Sequence, residues 1–179
     1  TGIIPGRLLR DPVYRQNSNG AIDTIKIRHK SGKWSTLGFK SYEQGRKSFQ
    51  GTEKHGVWLD EEANAAIREE CLTRLMTTQG LLIETFTPLL GISEIVKQYL
   101  PDGYRDERVV ITGTKGLVMA GWDDVPHLSE QDKIDLAANY LPHTRDARMR
   151  GIPSLGSGAI YPVPETDVFV DDFVIPEDW

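Results

Sequence analysis

The chain has 179 residues, enough for one compact domain of ordinary size and a smaller appendage. Its apolar content of 39%, charged content of 26% and net charge of −5 are typical of a soluble globular protein. No apolar run approaches the roughly 20 residues that span a bilayer, and no signal peptide opens the chain, so we expect neither a membrane-spanning helix nor export.

Charge is unevenly distributed along the chain. Residues 1–55 contain 11 Lys/Arg against 4 Asp/Glu, whereas residues 56–179 contain 10 against 22. This asymmetry indicates either a surface for phosphate or nucleic acid, or a solvated, strand-rich region with lysines on its outer face. Cys71 is the single cysteine, so an internal disulfide is excluded, and the four histidines lack metal-ligand spacing, so we expect no zinc site.

The first half of the chain alternates predicted strands with one helix. Apolar and polar residues alternate along 21–29, which predicts a strand, and residues 34–40 follow a Gly-containing turn as a second strand, so we expect a hairpin. A short apolar run at 57–59 then stops at three acids, Asp60, Glu61 and Glu62. The next apolar residues recur at helical spacing and end at Gly80: Ile67, Cys71, Leu72, Leu75 and Met76. Cys71 on this apolar side indicates a buried structural thiol.

The second half continues the alternation. Residues 81–87 predict a strand, Ser93 caps a helix that Pro101 stops, and residues 108–112 and 117–120 predict two further strands. Ser129 and Asp132 form a capping box for a helix that ends at Pro142. The composition of residues 151–158 predicts a loop or hinge, and residues 160–179 contain six Asp/Glu and no Lys or Arg. This order favours an open, mostly parallel α/β sheet with its chemistry beyond the carboxyl ends of the strands.

Two motifs fall at such strand ends. We expect the strands at 57–59 and 81–85 to pair in parallel, because a single helix separates them, and so to bring Asp60, Glu61 and Thr85 together at one edge. After the apolar run at 57–59, Asp60 is suited to hold Mg²⁺ against nucleotide phosphates through water, and Glu61 is suited to orient the attacking water. These acids could instead only complement the N-terminal dipole of the following helix. The next strand ends in Thr85 and Thr87, whose hydroxyls could sense a γ-phosphate, although threonine is also a common strand residue.

The sequence Gly-x-x-x-x-Gly-Lys-Ser/Thr, whose backbone cradles a triphosphate, does not occur in the chain. The nearest candidates, Gly32-Lys33 and Gly45-Arg46-Lys47-Ser48, both lack the preceding glycine. The carboxylates also do not suggest a glycosidase pair, and no Gly-x-Ser-x-Gly elbow follows a strand.

The chain resembles the large terminase subunit of tailed phages and prophages over nearly its whole length. Five segments in the order of that family carry the resemblance: residues 39–51 (FKSYEQGRKSFQG), 57–62 (VWLDEE), 85–91 (TFTPLLG), 121–129 (GWDDVPHLS) and 143–164 (HTRDARMRGIPSLGSGAIYPVP). The resemblance implies ATP-driven packaging of double-stranded DNA into viral capsids. It also implies a P-loop NTPase core of the ASCE type with a small helical lid.

The resemblance assigns roles by position. It makes Asp60 and Glu61 the Walker B pair, for Mg²⁺ and for catalysis, and it makes Thr85-Phe86-Thr87 the motif that couples ATP hydrolysis to DNA movement. It divides the chain into a partial ATPase core at 1–121, a lid or linker at 122–157, and a connector toward a nuclease at 158–179. It further implies a small terminase subunit, the capsid portal and a homo-oligomeric ring as partners, in the cytoplasm of a bacterial host.

The family's phosphate-binding loop and nuclease are both expected outside this sequence. We therefore expect the chain alone to lack ATP hydrolysis. We also expect apolar surface to be exposed along residues 57–59, so that the chain is only marginally stable or associates with itself. Arg46 is the candidate for an arginine finger acting on a neighbouring subunit's ATP, with Arg7, Arg10 and Arg145 as rivals, or it is simply a solvated loop arginine.

Two other hypotheses remain. A helicase-like ATPase shares the Asp-Glu strand but usually adds a second similar domain, for which 179 residues leave no room. A non-enzyme module for DNA or protein binding, which kept the fold and lost catalysis, would account for the basic first third and for the missing phosphate loop.

Overall fold

A computed structural model describes residues 4–16, 20–100 and 108–153 of the chain. The chain forms two compact units, which are interleaved in sequence. Unit 1 comprises the described residues within Thr1–Val57 and Ala66–Leu81, and unit 2 comprises those within Trp58–Ala65 and Leu82–Trp179. The expected boundaries at 121/122 and 157/158 stay predictions, and the expected connector at 158–179 lies outside the described residues.

Unit 1 begins with a three-stranded antiparallel sheet of β1 (Leu9–Tyr14), β2 (Ile22–Arg28) and β3 (Trp34–Gly38), in that order. The hairpin of β2 and β3 confirms the prediction. The strand β1 was not predicted, because Pro12 and two charged residues interrupt its alternation. The structure absorbs this interruption through a register shift between Arg10 and Val13, with Asp11 in the left-handed region at φ 52°.

The predicted strand at 57–59 corresponds to β4 (Gly56–Asp60), and the predicted strand at 81–87 corresponds to β5 (Leu81–Thr85). The helix α1 (Ala65–Leu75) lies between them in sequence. They are neighbours in a two-stranded sheet. The amide of Leu81 donates to the carbonyl of His55 at 3.2 Å, and the amide of Glu61 donates to that of Thr85 at 2.8 Å. Because residue numbers rise together on both strands, the pair is parallel, as predicted.

The expected helix after β4 is confirmed, although its buried side is narrower than its apolar residues suggest. Ile67, Cys71 and Leu75 are at most 4% exposed, so Cys71 is the buried thiol that was expected. Leu72 and Met76 are 41% and 73% exposed. Two buried charged side chains, Arg68 and Glu70, occupy positions on α1 that the apolar pattern leaves out.

The rest of unit 2 is made of short elements. They are α2 (Glu94–Lys97), β6 (Val109–Thr112), β7 (Lys115–Val118), α3 (Glu130–Ala138) and α4 (Arg145–Arg150), with 3-10 turns at Trp122–Asp124 and Pro142–Thr144. The Ser93 cap and the Ser129–Asp132 capping box are confirmed. The helix α2 is shorter than predicted, and α4 was not predicted.

The prediction of a mostly parallel sheet is wrong for the part of the chain that the structure describes. The strands form three separate small sheets, and β4–β5 is the parallel pair, whereas β1–β2, β2–β3 and β6–β7 are antiparallel. The reason lies in the connections, because tight turns join β2 to β3 and β6 to β7. A tight turn permits only antiparallel pairing, whereas β4 and β5 are separated by a helix. The fold is therefore mixed α/β.

Across the described ranges, no helix is both long and apolar enough to cross a membrane.

Gly80 provides a test of packing within unit 1. A Cβ atom at this position would lie 2.6 Å from Cδ2 of Leu75 and 2.7 Å from the carbonyl oxygen of His55. We therefore expect Gly80→Ala to lower the free energy of unfolding by about 1–3 kcal/mol in urea titrations. Gly116→Ala is the matched control, because a Cβ there meets nothing within 4 Å. Equal stability of the two variants would contradict the described packing.

Candidate active site at the ends of β4 and β5

Three of the predicted site residues meet at one edge of the β4–β5 sheet. The hydroxyl of Thr85 donates to Oδ1 of Asp60 at 2.9 Å, and the amide of Glu61 donates to the carbonyl of Thr85 at 2.8 Å. Asp60 and Thr85 are the last residues of their strands, and parallel pairing brings those two ends together. The predicted proximity of Asp60, Glu61 and Thr85 is therefore confirmed, while their chemical roles stay predictions.

Trp58 completes this arrangement and was missed as a site residue. Its indole N–H donates to the hydroxyl oxygen of Thr85 at 2.8 Å. Because an indole only donates, the hydroxyl of Thr85 must accept from Trp58 and give its own proton to Asp60. The period of two along a strand could have revealed this, since it places Trp58 and Asp60 on the same face of β4.

The backbone at Glu61 is strained. Its φ of +64° lies in the left-handed region, which side chains other than glycine rarely adopt. The hydrogen bond from its amide to Thr85 helps to hold this conformation. Strained backbones of this kind are concentrated at functional sites, because the surrounding structure must impose them. Of the three consecutive acids Asp60, Glu61 and Glu62, only Glu61 has this strained backbone.

The third acid, Glu62, joins the site to α2. The hydroxyl of Ser93 donates to Oε1 of Glu62, and the same hydroxyl accepts from the amide of Val96 at 3.2 Å as the cap of α2. A second contact runs from β5 to the segment after α2, where the hydroxyl of Tyr99 donates to Oε2 of Glu84. Side chains just after β4 and on β5 are therefore tied to α2 and the residues that follow it.

The segment after β5 turns away from extended structure. The carbonyl of Thr87 accepts from the amide of Leu89 at 2.7 Å, so Thr87 belongs to a turn rather than to the strand. Thr85 and Phe86 also line a cavity of about 260 Å³ in unit 2, together with Val96, Tyr99 and Met119. Of the two predicted threonines, Thr85 has the described contact with Asp60.

Arg46 lies in unit 1, in a 3-10 helix at Arg46–Phe49. Its Nε donates to Oε2 of Glu70 at 3.1 Å, and Nη2 of Arg74 lies 3.0 Å from Oε1 of the same carboxylate. The side chain of Glu70 is 4% exposed, whereas that of Arg46 is 54% exposed. A buried acid therefore holds Arg46 at the Nε edge of its guanidinium, so Arg46 is not simply a solvated loop arginine.

The electrostatics of Glu70 follow from this setting. Burial raises its pKa, but the hydrogen bond from Arg46 and the charges of Arg74 and Arg46 outweigh that effect, so its pKa lies below the ordinary value. The carboxylate is thus kept ionised by its two arginines.

The site's donor set fits magnesium bound by few protein groups. Within the described ranges, no group of three His, Cys, Asp or Glu side chains could hold a metal ion. Mg²⁺ in nucleotide sites usually keeps several waters and takes one or two carboxylates together with phosphate oxygens. Asp60, an exposed acid at a strand end, suits that mode.

An α/β unit with an acidic pair at the carboxyl end of a parallel strand is the arrangement that the sequence motifs lead one to expect, and comparison with known proteins identifies the family. Residues 3–167 match the family described as terminase large subunit, T4likevirus-type, N-terminal. The chain therefore belongs to the terminase large subunit N-terminal family.

Two curated relatives are considerably longer than this chain. It is 38% identical over 165 residues to the terminase large subunit of Salmonella phage P22, covering 92% of this chain and 30% of that protein. It is 34% identical over 112 residues to the terminase large subunit of Enterobacteria phage LP7, covering 63% of this chain and 22% of that protein. The chain thus spans less than a third of the length of these relatives. No solved structure matches it significantly.

The strain at Glu61 can be measured by comparing two variants that both remove the carboxylate. We expect Glu61→Gly to be more stable than Glu61→Ala by about 1 kcal/mol, because glycine adopts a positive φ without a Cβ clash. In an unstrained position the order would be reversed, since glycine loses more backbone entropy on folding. Urea unfolding of both variants gives the sign, and a more stable alanine variant would contradict the left-handed conformation.

The lowered pKa of Glu70 predicts a pH dependence. Its contribution to stability is fully present above the ordinary pKa of glutamate, about 4.3, and is lost as the pH falls through the lower pKa of the folded state. The stability difference between wild type and Glu70→Gln should therefore shrink from about pH 6 to about pH 3. Urea unfolding across this range measures it, and in an Arg46→Gln background the shrinkage should be smaller. A difference that is constant with pH would contradict the pairing.

Proposed function

We propose that the chain is part of an ATP-driven motor that packages double-stranded DNA into viral capsids. Membership of the terminase large subunit family supports this proposal. The observation that carries its hydrolytic part is the hydrogen-bonded junction of Asp60, Glu61 and Thr85 at the ends of two parallel strands. Carboxyl ends of parallel strands are where α/β proteins bind nucleotides.

Each residue of this junction has a role in the proposal. Asp60 would hold Mg²⁺ through water, and the bound ion would neutralise phosphate charge. Thr85 orients the Asp60 carboxylate, and Trp58 fixes the direction of the Thr85 hydroxyl. Glu61 orients the attacking water, and its left-handed backbone sets the direction in which its carboxylate leaves the strand end. Thr85-Phe86-Thr87 would then couple hydrolysis to DNA movement through the adjoining turn.

Arg46 remains the proposed arginine finger. Its pairing with Glu70 occupies the Nε edge and leaves the rest of a half-exposed guanidinium with donors for a phosphate. A guanidinium that a buried acid holds at one edge is already ordered, which lowers the entropic cost of presenting it to ATP. The neighbouring subunit of a homo-oligomeric ring would supply that ATP.

The other partners are proposed with the function. They are double-stranded DNA, a small terminase subunit and the capsid portal, in the cytoplasm of a bacterial host. The P-loop core of the ASCE type and the lid at 122–157 belong to the same proposal. Within the described residues, 122–153 are mainly helical and include α3 and α4, which suits a helical lid.

The hydrolytic role is tested by Glu61→Gln in a full-length terminase subunit that contains this segment. An amide keeps the shape of the side chain but removes the charge that orients water, so ATP binding should persist while turnover falls about 100-fold or more. Calorimetric titration with Mg-ATP and a phosphate-release assay measure the two quantities.

Two companions sharpen this experiment. Glu62→Gln is the matched control, because the carboxylate of Glu62 is hydrogen-bonded to Ser93. This variant should therefore lower turnover less than Glu61→Gln does. The 179-residue chain itself should not turn over ATP, since it contains no Gly-x-x-x-x-Gly-Lys-Ser/Thr sequence. Near-normal turnover in Glu61→Gln, or a larger loss in Glu62→Gln, would move the catalytic role away from Glu61.

A further inference from the structure

One face of the β1–β3 sheet in unit 1 carries a group of cations around one aromatic ring. Residues directly opposite each other in neighbouring antiparallel strands share a face, so the pairs Arg10–Lys26 and Arg28–Trp34 lie on the same side. The guanidinium of Arg10 on β1 lies over the ring of Trp34 on β3, 3.8 Å from its centroid. Side chains of these two outer strands therefore meet on this face. We call this surface the basic face.

The turn between β2 and β3 adds two more cations at the end of this hairpin. The amide of His29 donates to the carbonyl of Lys33 at 2.8 Å, and Gly32 adopts a positive φ of 84°. This tight turn holds Lys30 and Lys33 at the tip of the hairpin, next to Arg28, and all three are exposed. Among the described residues, no ion pair involves any of these three cations.

Acidic groups near this surface are few. Asp11 pairs with Lys26 at 3.0 Å and with Arg10 at 3.5 Å, so it partly neutralises the centre of the basic face but not the hairpin tip. The whole chain has a net charge of −5. Attraction to a polyanion therefore cannot come from the chain's average charge and must come from a local surface such as this one.

We infer that the basic face, together with the exposed hairpin tip formed by Arg28, Lys30 and Lys33, is a surface through which this chain contacts the phosphate backbone of duplex DNA. Charge complementarity supports this partner, because exposed lysine and arginine side chains are the usual phosphate contacts in protein–DNA complexes. The stacked pair of Arg10 and Trp34 orders one cation on the basic face. The inference rests on the proposed packaging function and names where the motor touches its substrate.

The test measures binding of the 179-residue chain to a 20-base-pair duplex of mixed sequence at several salt concentrations, without ATP. Each phosphate contact contributes about 0.9 to the slope of log K against log salt. The triple variant Arg28→Gln, Lys30→Gln and Lys33→Gln should therefore lose about 2.7 of the wild-type slope and bind about tenfold or more weakly at low salt. Circular dichroism establishes that the variant is folded.

The matched control removes the same charge elsewhere, through Lys47→Gln, Lys54→Gln and Lys97→Gln, which are exposed positions outside the hairpin. Its slope should stay close to that of the wild type. Equal effects of the two triple variants, no binding by the wild-type chain at millimolar concentration, or displacement of DNA by poly-glutamate at equal charge would overturn the inference. Because the assay contains no ATP, such a failure would count against this surface without bearing on the hydrolytic site.

Discussion

The hydrogen-bonded junction between the ends of β4 and β5 is the constraint on which the candidate active site depends. Asp60 and Thr85 are far apart in sequence and meet because the two strands are parallel and end at the same edge. The amide of Glu61 then closes the ladder on the carbonyl of Thr85 while its own backbone turns left-handed. One threonine thus holds the carboxylate of one acid through its hydroxyl and the backbone of the next through its carbonyl.

This junction continues into neighbouring parts of unit 2 through side chains. Glu62 accepts from Ser93 at the start of α2, and Glu84 accepts from Tyr99 just beyond it. A displacement at the strand ends would therefore have to break or carry along the cap of α2. Hydrogen bonds of this kind transmit movement only if the side chains have two discrete arrangements. The hydrogen bond between Glu62 and Ser93 is the contact in which a second arrangement would couple the strand ends to α2.

The sequence predicted local elements well and their assembly poorly. The strands β2 to β5, the caps at Ser93 and Ser129, and the meeting of Asp60 with Thr85 all follow from alternation, capping residues and the parallel pairing of two apolar strands. The mostly parallel sheet did not follow, because alternation along one strand carries no information about which strand pairs with it. The roles of Trp58 and Glu70 were also out of reach, since each depends on a partner that is distant in sequence, Thr85 for one and Arg46 for the other.

The burial of Cys71 gives α1 a built-in reporter. It is the single cysteine of the chain, and it is 2% exposed on the inner side of that helix. A thiol-reactive dye can reach it only when α1 opens locally, so the rate of labelling reads out the free energy of that opening at one known position. The chain therefore reports the local stability of the helix between its two site strands without any engineered label.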